Sequence, residues 1–177
     1  MQQTNLYTVT VPSLLKHLQA LSMILEKAEK HADSKKTSRS TFEHALLSDH
    51  IIFDQFPFVK QVQVACDNAK GLTARLAEIE SPKHEDNEKT LAELRERIAK
   101  TVAFVQSVKP EQIIGKEDIK TTLPYFAGKY MTGFEYAIEY AMPNFYFHLS
   151  TAYNLLRKNG IDIGKNDFMG SLPLKDI

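Results

Sequence analysis

His148 is the side chain with the most chemistry to offer, since a neutral imidazole can donate, accept, relay a proton or ligate a metal. It ends the stretch Pro143-Asn144-Phe145-Tyr146-Phe147-His148. At about 100° per residue it falls in the middle of a helical stripe formed by Phe134, Ala137, Ala141, Phe145, Ala152 and Leu155. Asn144 stands one turn earlier, within about 40° of the same face, and Thr151 sits at the border of the stripe. An amide and an imidazole therefore project into what should be apolar core. An unpaired buried polar group costs about 1–3 kcal/mol, so each must find a side chain, a water, a ligand or a metal. A second amide, Gln61, lies about 40° from the centre of another apolar stripe, with Asn68 at the edge on the same side. Asp67 falls on the far side, solvated or facing another element. Three readings stay open. His148 is a satisfied core histidine bridging Asn144 and Gln61; or His148, Asn144, Gln61 and Thr151 line a pocket for a small molecule; or His148 ligates a divalent metal. Amides are weak ligands, and a zinc site would call for two or three His or carboxylates.

Four long apolar periodicities must position these residues. Leu14, Leu18, Leu21, Leu25, Ala28 and Ala32 mark a first helix from about Pro12 to Asp33, after a strand-like lead-in at Leu6–Val11. A polar loop follows at 34–40, then a short helical turn at Thr41–Leu47. The second long helix starts at Asp54 or Pro57 and runs to Glu80, with Phe58, Val62, Ala65, Ala69, Leu72, Leu76 and Ile79 inward. Lys83–Asn87 is a charged connection to a third helix at Glu88–Val108, with Leu91, Leu94, Ile98, Val102 and Val105 inward. Gly115, Pro124, Gly128 and Gly133 interrupt 111–133, which reads as a small β-hairpin or an irregular excursion. The fourth helix spans Gly133–Asn159, with Thr132 as its cap, a kink expected at Pro143 and Gly160 beyond its end. Apolar residues in the tail (Ile163, Phe168, Met169, Leu172, Leu174) predict that it docks. Such a pattern is all-α: an antiparallel four-helix bundle in one domain over 1–177, with a long connection between its last two helices.

Composition narrows the function classes. The 22 basic and 22 acidic residues cancel, which gives neither a basic footprint for nucleic acid nor a polybasic membrane patch. A single cysteine, Cys66, excludes an internal disulfide and a Cys-based zinc site, and reads as a small buried hydrophobe. Met1–Val11 has no positively charged n-region and no apolar h-region, so no signal peptide and a cytoplasmic setting are expected. There is no phosphate-binding glycine loop, no Gly-x-Ser-x-Gly and no His-Glu-x-x-His. His17 is a boundary residue of the first helix that could reach the same cavity; His31, His44, His50 and His84 fall in polar contexts and read as solvated. The rings of Phe134, Tyr136, Tyr140, Phe145, Tyr146, Phe147 and Tyr153 cannot all face one core, so the tail or a second copy of the chain is expected to cover some, and a homodimer follows as an expectation.

His148, Leu156, Arg157 and Gly160 stand as H-x₇-L-R-x-x-G. This resembles the last helix of the DinB-like four-helix-bundle superfamily. The match is closer to a bacterial branch of unknown function, through Gln61–Asp67, Ala74-Arg75-Leu76, Pro143–His148, Thr151-Ala152-Tyr153 and Gly164-Lys165-Asn166-Asp167-Phe168-Met169-Gly170. The resemblance implies the bundle fold. It also implies a divalent-metal site built in many members from three histidines, one on the second helix and two on the fourth. His148 matches the last of these, Asn144 occupies the place of another, and Gln61 is the best match to the third. The expectation is a protein that binds a small molecule or a partner at a central polar pocket with a degenerate metal site. The alternative is a metal-dependent enzyme, such as a transferase using a small thiol.

Overall fold

The computed structural model describes residues 4–176. Its first helix, α1 (Leu6–Asp33), starts six residues before the expected Pro12. Asn5 Oδ1 accepts from Thr8 N at 3.0 Å and Thr8 Oγ1 accepts from Asn5 N at 3.0 Å, a reciprocal cap. The strand-like composition of Leu6–Val11 is overridden because Leu6, Thr10 and Val11 are buried by the helical arrangement. α2 (Arg39–Ser48) lengthens the expected turn, capped by Ser38. α3 (Phe58–Leu76) stops earlier than Glu80, because Glu78 adopts φ 53° and turns the chain; Ile79 is consequently exposed. α4 (Leu91–Ser107) starts from a Thr90/Glu93 capping box, and the single turn α5 (Pro110–Ile113) follows it.

The 111–133 excursion holds a two-residue hairpin, β1 (Lys120–Thr121) and β2 (Met131–Thr132), with Lys120 opposite Thr132 and Thr121 opposite Met131. Thr132 then caps the last long helix, whose Oγ1 accepts from Glu135 N at 3.2 Å. That helix begins as α6 (Gly133–Glu135), widens into a π-helical segment at Tyr136–Ala141 and continues as α7 (Met142–Lys158). The π segment is what the kink expected at Pro143 becomes. A proline has no N–H for the carbonyl four residues back and crowds it; the wider turn accommodates this, with Met142 N bonding Ala137 O. Gly160 at φ +80° ends α7. The tail forms α8 (Lys165–Met169) against α1, held by Lys27 to Asp167 at 2.7 Å and by Phe168 on Tyr153. Beyond it, Leu172 and Leu174 are exposed rather than docked.

α3 packs on α7 and α4, and α1 packs on α4. Cross-links fix the directions. Gln61 meets His148 while Arg75 meets Tyr136, so α3 and α7 are antiparallel. The 77–90 connection runs back along α3, with Lys70 on Pro82 O and Lys60 on Asp86, so α4 starts beside the first half of α3. Arg97, only 2% exposed, clasps this return: it reaches Asp67 at 2.9 Å, Asp86 at 3.0 Å and Glu88 at 2.9 Å. Asp67 thus faces another element, as one of the two sequence readings had it. The inward stripes are buried apart from Phe134 and Ile79, which are exposed, and the half-buried Val102. Phe134 precedes the π segment, where a phase carried back at 100° per residue no longer holds.

Candidate functional site

The interface of α3 with the Tyr136–Lys158 portion of the last helix is a ladder of polar pairs inside an apolar bundle. Its first rung is Gln61 and His148. Gln61 is fully buried; its Nε2 donates to Phe56 O at 2.8 Å, which turns Oε1 toward the imidazole, 2.7 Å from Nδ1. An amide oxygen only accepts, so Nδ1 carries the proton and Nε2 the bare lone pair. His148 Nε2 makes no hydrogen bond among the described residues. Burial lowers the pKa of this 7%-exposed ring and favours its neutral form.

The second rung is Asn68 and Asn144. Asn68 Nδ2 donates to Val64 O at 3.0 Å, leaving Oδ1 to accept from Asn144 Nδ2 at 3.1 Å; Asn144 Nδ2 also lies 3.4 Å from Tyr140 OH. The third rung is Arg75 and Tyr136: Nη1 donates to the hydroxyl at 3.1 Å, and Cζ sits 5.7 Å from the ring centroid. Tyr136, Tyr140, Asn144 and His148 are spaced by four. In a regular α-helix each such step drifts by about 40°; the π segment reduces that drift, and Tyr136 and Tyr140 stack at 5.9 Å. Tyr125, from the short turn Pro124–Phe126 in the excursion, bonds Tyr140 through their hydroxyls and closes this end of the ladder. Burial and the Tyr140 hydroxyl push the Tyr125 phenol up to about 12, so it remains protonated.

A cleft of about 350 Å³ opens along these rungs, with His148, Asn144, Asn68, Tyr140, Tyr136 and Arg75 on its walls and Phe56 beside the imidazole. Of the residues singled out from the sequence, His148 and Asn144 face it directly. Gln61 stands behind His148 and orients it. Thr151 is not brought to the cleft; its hydroxyl donates to Phe147 O on its own helix at 2.8 Å. Asn144 does not bond His148; its partner is Asn68, which the helical wheel put only at the edge. His17 lies on the other side of α7, where Nδ1 is 2.8 Å from Ser13 O and 3.2 Å from Tyr146 OH. Cys66 is buried and its thiol is pushed up to about 12 by desolvation, the behaviour of an inert core thiol. His31 is not solvated as expected but packs on Phe42, with Nε2 unpartnered among the described residues. Arg75, Tyr136 and Tyr140 were missed because they belong to no apolar stripe. The i, i+4 series ending at His148 is the one sequence signal for Tyr136 and Tyr140; Arg75, on α3, stands outside it.

The donor set does not fit a divalent metal. One imidazole stands among amides and phenols, the carboxylate of Asp67 on the wall is taken by Arg97 and Lys70, and no group of three His, Cys, Asp or Glu is placed to hold an ion among the described residues. What the cleft offers is a hydrogen-bond acceptor at one end, a guanidinium at the other and aromatic faces between. Nor does any described helix have the length and apolarity to cross a membrane.

Comparison with known proteins agrees with this architecture. The family model "Domain of unknown function (DUF1993)" matches residues 6–169. A crystal structure of a DinB family member protein from Shewanella denitrificans is 42% identical, over 97% of this chain and 96% of that one, with a TM-score of 0.90. No curated protein matches the chain in sequence.

Proposed function

This chain belongs to the family described as Domain of unknown function (DUF1993), on the DinB-like four-helix-bundle fold, and from that premise we propose that it is a small-molecule-binding protein whose ligand occupies the cleft between α3 and α7. One observation carries the reading: His148 Nε2 is an oriented, unprotonated acceptor with no partner among the described residues, on the wall of a cleft of about 350 Å³. His148 Nε2 is not an enclosed orphan but opens to the cleft, where a ligand can reach it. Here one nitrogen is fixed by Gln61 and the other is left for something outside the chain. The cleft lies near the lower end of the roughly 300–1,000 Å³ typical of small-ligand sites, which favours a compact metabolite. His148 accepts from it, Asn144 offers its amide, and Gln61 positions the imidazole without touching the ligand.

A metabolite panel screened by thermal shift and confirmed by calorimetry tests this. Ligands that bind the wild type should lose at least tenfold in affinity in His148→Ala and in Asn144→Ala. Full affinity in both variants would show that the ligand binds elsewhere.

A further inference from the structure

We infer that the ligand of this cleft carries an anionic group that docks on Arg75, and that Gly71 sets this specificity by giving the Arg75 side chain its path. The inference deepens the small-molecule reading above and rests on it. Arg75 differs from the other four arginines of the chain. Arg39, Arg95 and Arg97 each meet carboxylates, and Arg157 donates to Ile163 O. Arg75 makes no ion pair among the described residues; one N–H is given to Tyr136 OH and the guanidinium faces the cleft. The one carboxylate on the cleft wall, Asp67, is engaged by Arg97 of α4 at 2.9 Å and by Lys70 of its own helix at 3.0 Å. It is therefore not the counter-charge to Arg75. A guanidinium has five N–H donors in a planar fork that matches a carboxylate or phosphate edge.

Gly71 supplies an independent observation. It lies one turn before Arg75 inside α3, in ordinary helical backbone, where glycine weakens a helix relative to alanine. A Cβ at this position would stand 2.6 Å from Arg75 Nη1 and 3.8 Å from Arg75 Cζ, so the side chain it meets is that of Arg75. The missing methyl group thus leaves room for one thing, the guanidinium folded back toward the cleft. At the other end, the bare Nε2 of His148 asks for a hydroxyl or amino donor, and Tyr136, Tyr140 and Phe56 present ring faces between. The ligand class is a small organic acid, carboxylate or phosphate monoester, with a hydroxyl or amino donor and a flat body.

The test uses the full chain with 4-hydroxyphenylacetate and 4-hydroxyphenyl phosphate as anionic probes and 4-hydroxyphenylacetamide as the uncharged control, read by calorimetry and thermal melting. At least one acid should bind the wild type tenfold or more tightly than the amide, and the better acid identifies the anion. Arg75→Gln should bring the acid down to the affinity of the amide. Gly71→Ala should weaken the acid at least tenfold while raising the melting temperature by about 1–4 °C through helix propensity. If the amide binds as well as the acids and Arg75→Gln changes nothing, the charge assignment is overturned while the cleft stands. If no acid binds but neutral panel ligands still depend on His148, the inference falls alone; if nothing binds, the cleft reading falls with it.

Discussion

Replacing Gln61 by leucine tests the arrangement on which the site depends. Gln61 is fully buried, and leucine fills similar space, so the change removes hydrogen bonds with little change of volume. Two groups lose their partner: the Nδ1–H of His148, 2.7 Å from Oε1, and the carbonyl of Phe56, 2.8 Å from Nε2. An orphaned buried group costs about 1–3 kcal/mol. The carbonyl belongs to an exposed loop residue and can recruit water, so it lies at the low end; the imidazole is enclosed and lies nearer the middle. The expected loss is about 2–3 kcal/mol, or about 5–10 °C in melting temperature for a chain of this length. Urea unfolding at pH 8 measures it. A cycle with His148→Phe should give a coupling of about 1–2 kcal/mol, and ¹⁵N spectra should show Nε2 as the unprotonated nitrogen. A loss under about 0.5 kcal/mol, the range of a neutral surface substitution, or a protonated Nε2, would refute the oriented-acceptor arrangement.

Other consequences follow from the same contacts. Arg97→Leu removes the cation shared by Asp67, Asp86 and Glu88, of which Asp67 and Asp86 keep Lys70 and Lys60 while the Glu88 side chain, 8% exposed, loses its ion pair; a loss of about 2–3 kcal/mol is expected in urea unfolding, and less than about 1 kcal/mol would show that the 77–90 connection is held otherwise. Burial lowers the folded-state pKa of both His148 and His17 below the ordinary histidine value of 6.5. The unfolded chain therefore binds more protons, so their contribution to stability is complete above about pH 6.5 and is lost as pH falls through the folded values. Melting temperatures should fall between pH 7 and 5, less steeply in a His148→Gln, His17→Gln double variant; an equal slope would contradict this. Ile51, Ile52, Phe53, Phe56 and Phe147 are exposed, with Phe56 and Phe147 both against His148. Light scattering of the wild type should give twice the chain mass, falling to the monomer in Phe53→Ser; a monomeric wild type at high micromolar concentration would remove the homodimer.

Much of the bundle was legible because burial of an apolar stripe sets helix positions more strongly than any local preference. The stripe Leu14–Ala32 and the six positions from Phe58 to Leu76 are inward as read, and Thr132 and Gly160 delimit the last helix. The failures have local causes. Leu6–Val11 looked like a strand because β-branched residues dominate it; an Asn5/Thr8 cap and burial of one face decide otherwise. Helix α3 stops at Leu76 rather than at Glu80 because Glu78 takes the left-handed conformation, which nothing in its residue type announces. The retreat of 77–90 along α3 depends on Arg97, whose three carboxylate partners come from two different segments. A single helical wheel shows no such convergence.

For the site, the sequence yielded the polar residues and, in one of its readings, the Gln61–His148 pair, but not the Asn68–Asn144 and Arg75–Tyr136 pairs. A wheel assigns each side chain an angle on an ideal helix, and Pro143 ensures that this helix is not ideal. The π segment it imposes at Tyr136–Ala141 is what lines up Tyr136 and Tyr140 with Asn144 and His148, opposite Arg75, Asn68 and Gln61. On a regular helix Tyr136 would have drifted roughly 120° from His148 over three steps of four residues, and the Arg75 rung could not form. The residue that reads as a defect in a core helix is therefore the one that lets a cleft run the length of the interface. The same logic explains Gly71, a second local weakness placed where a side chain must pass. The π segment departs from α-helical geometry and Gly71 lowers helix propensity within a regular helix; both lie along the same cleft, which is the pattern the proposed binding role predicts.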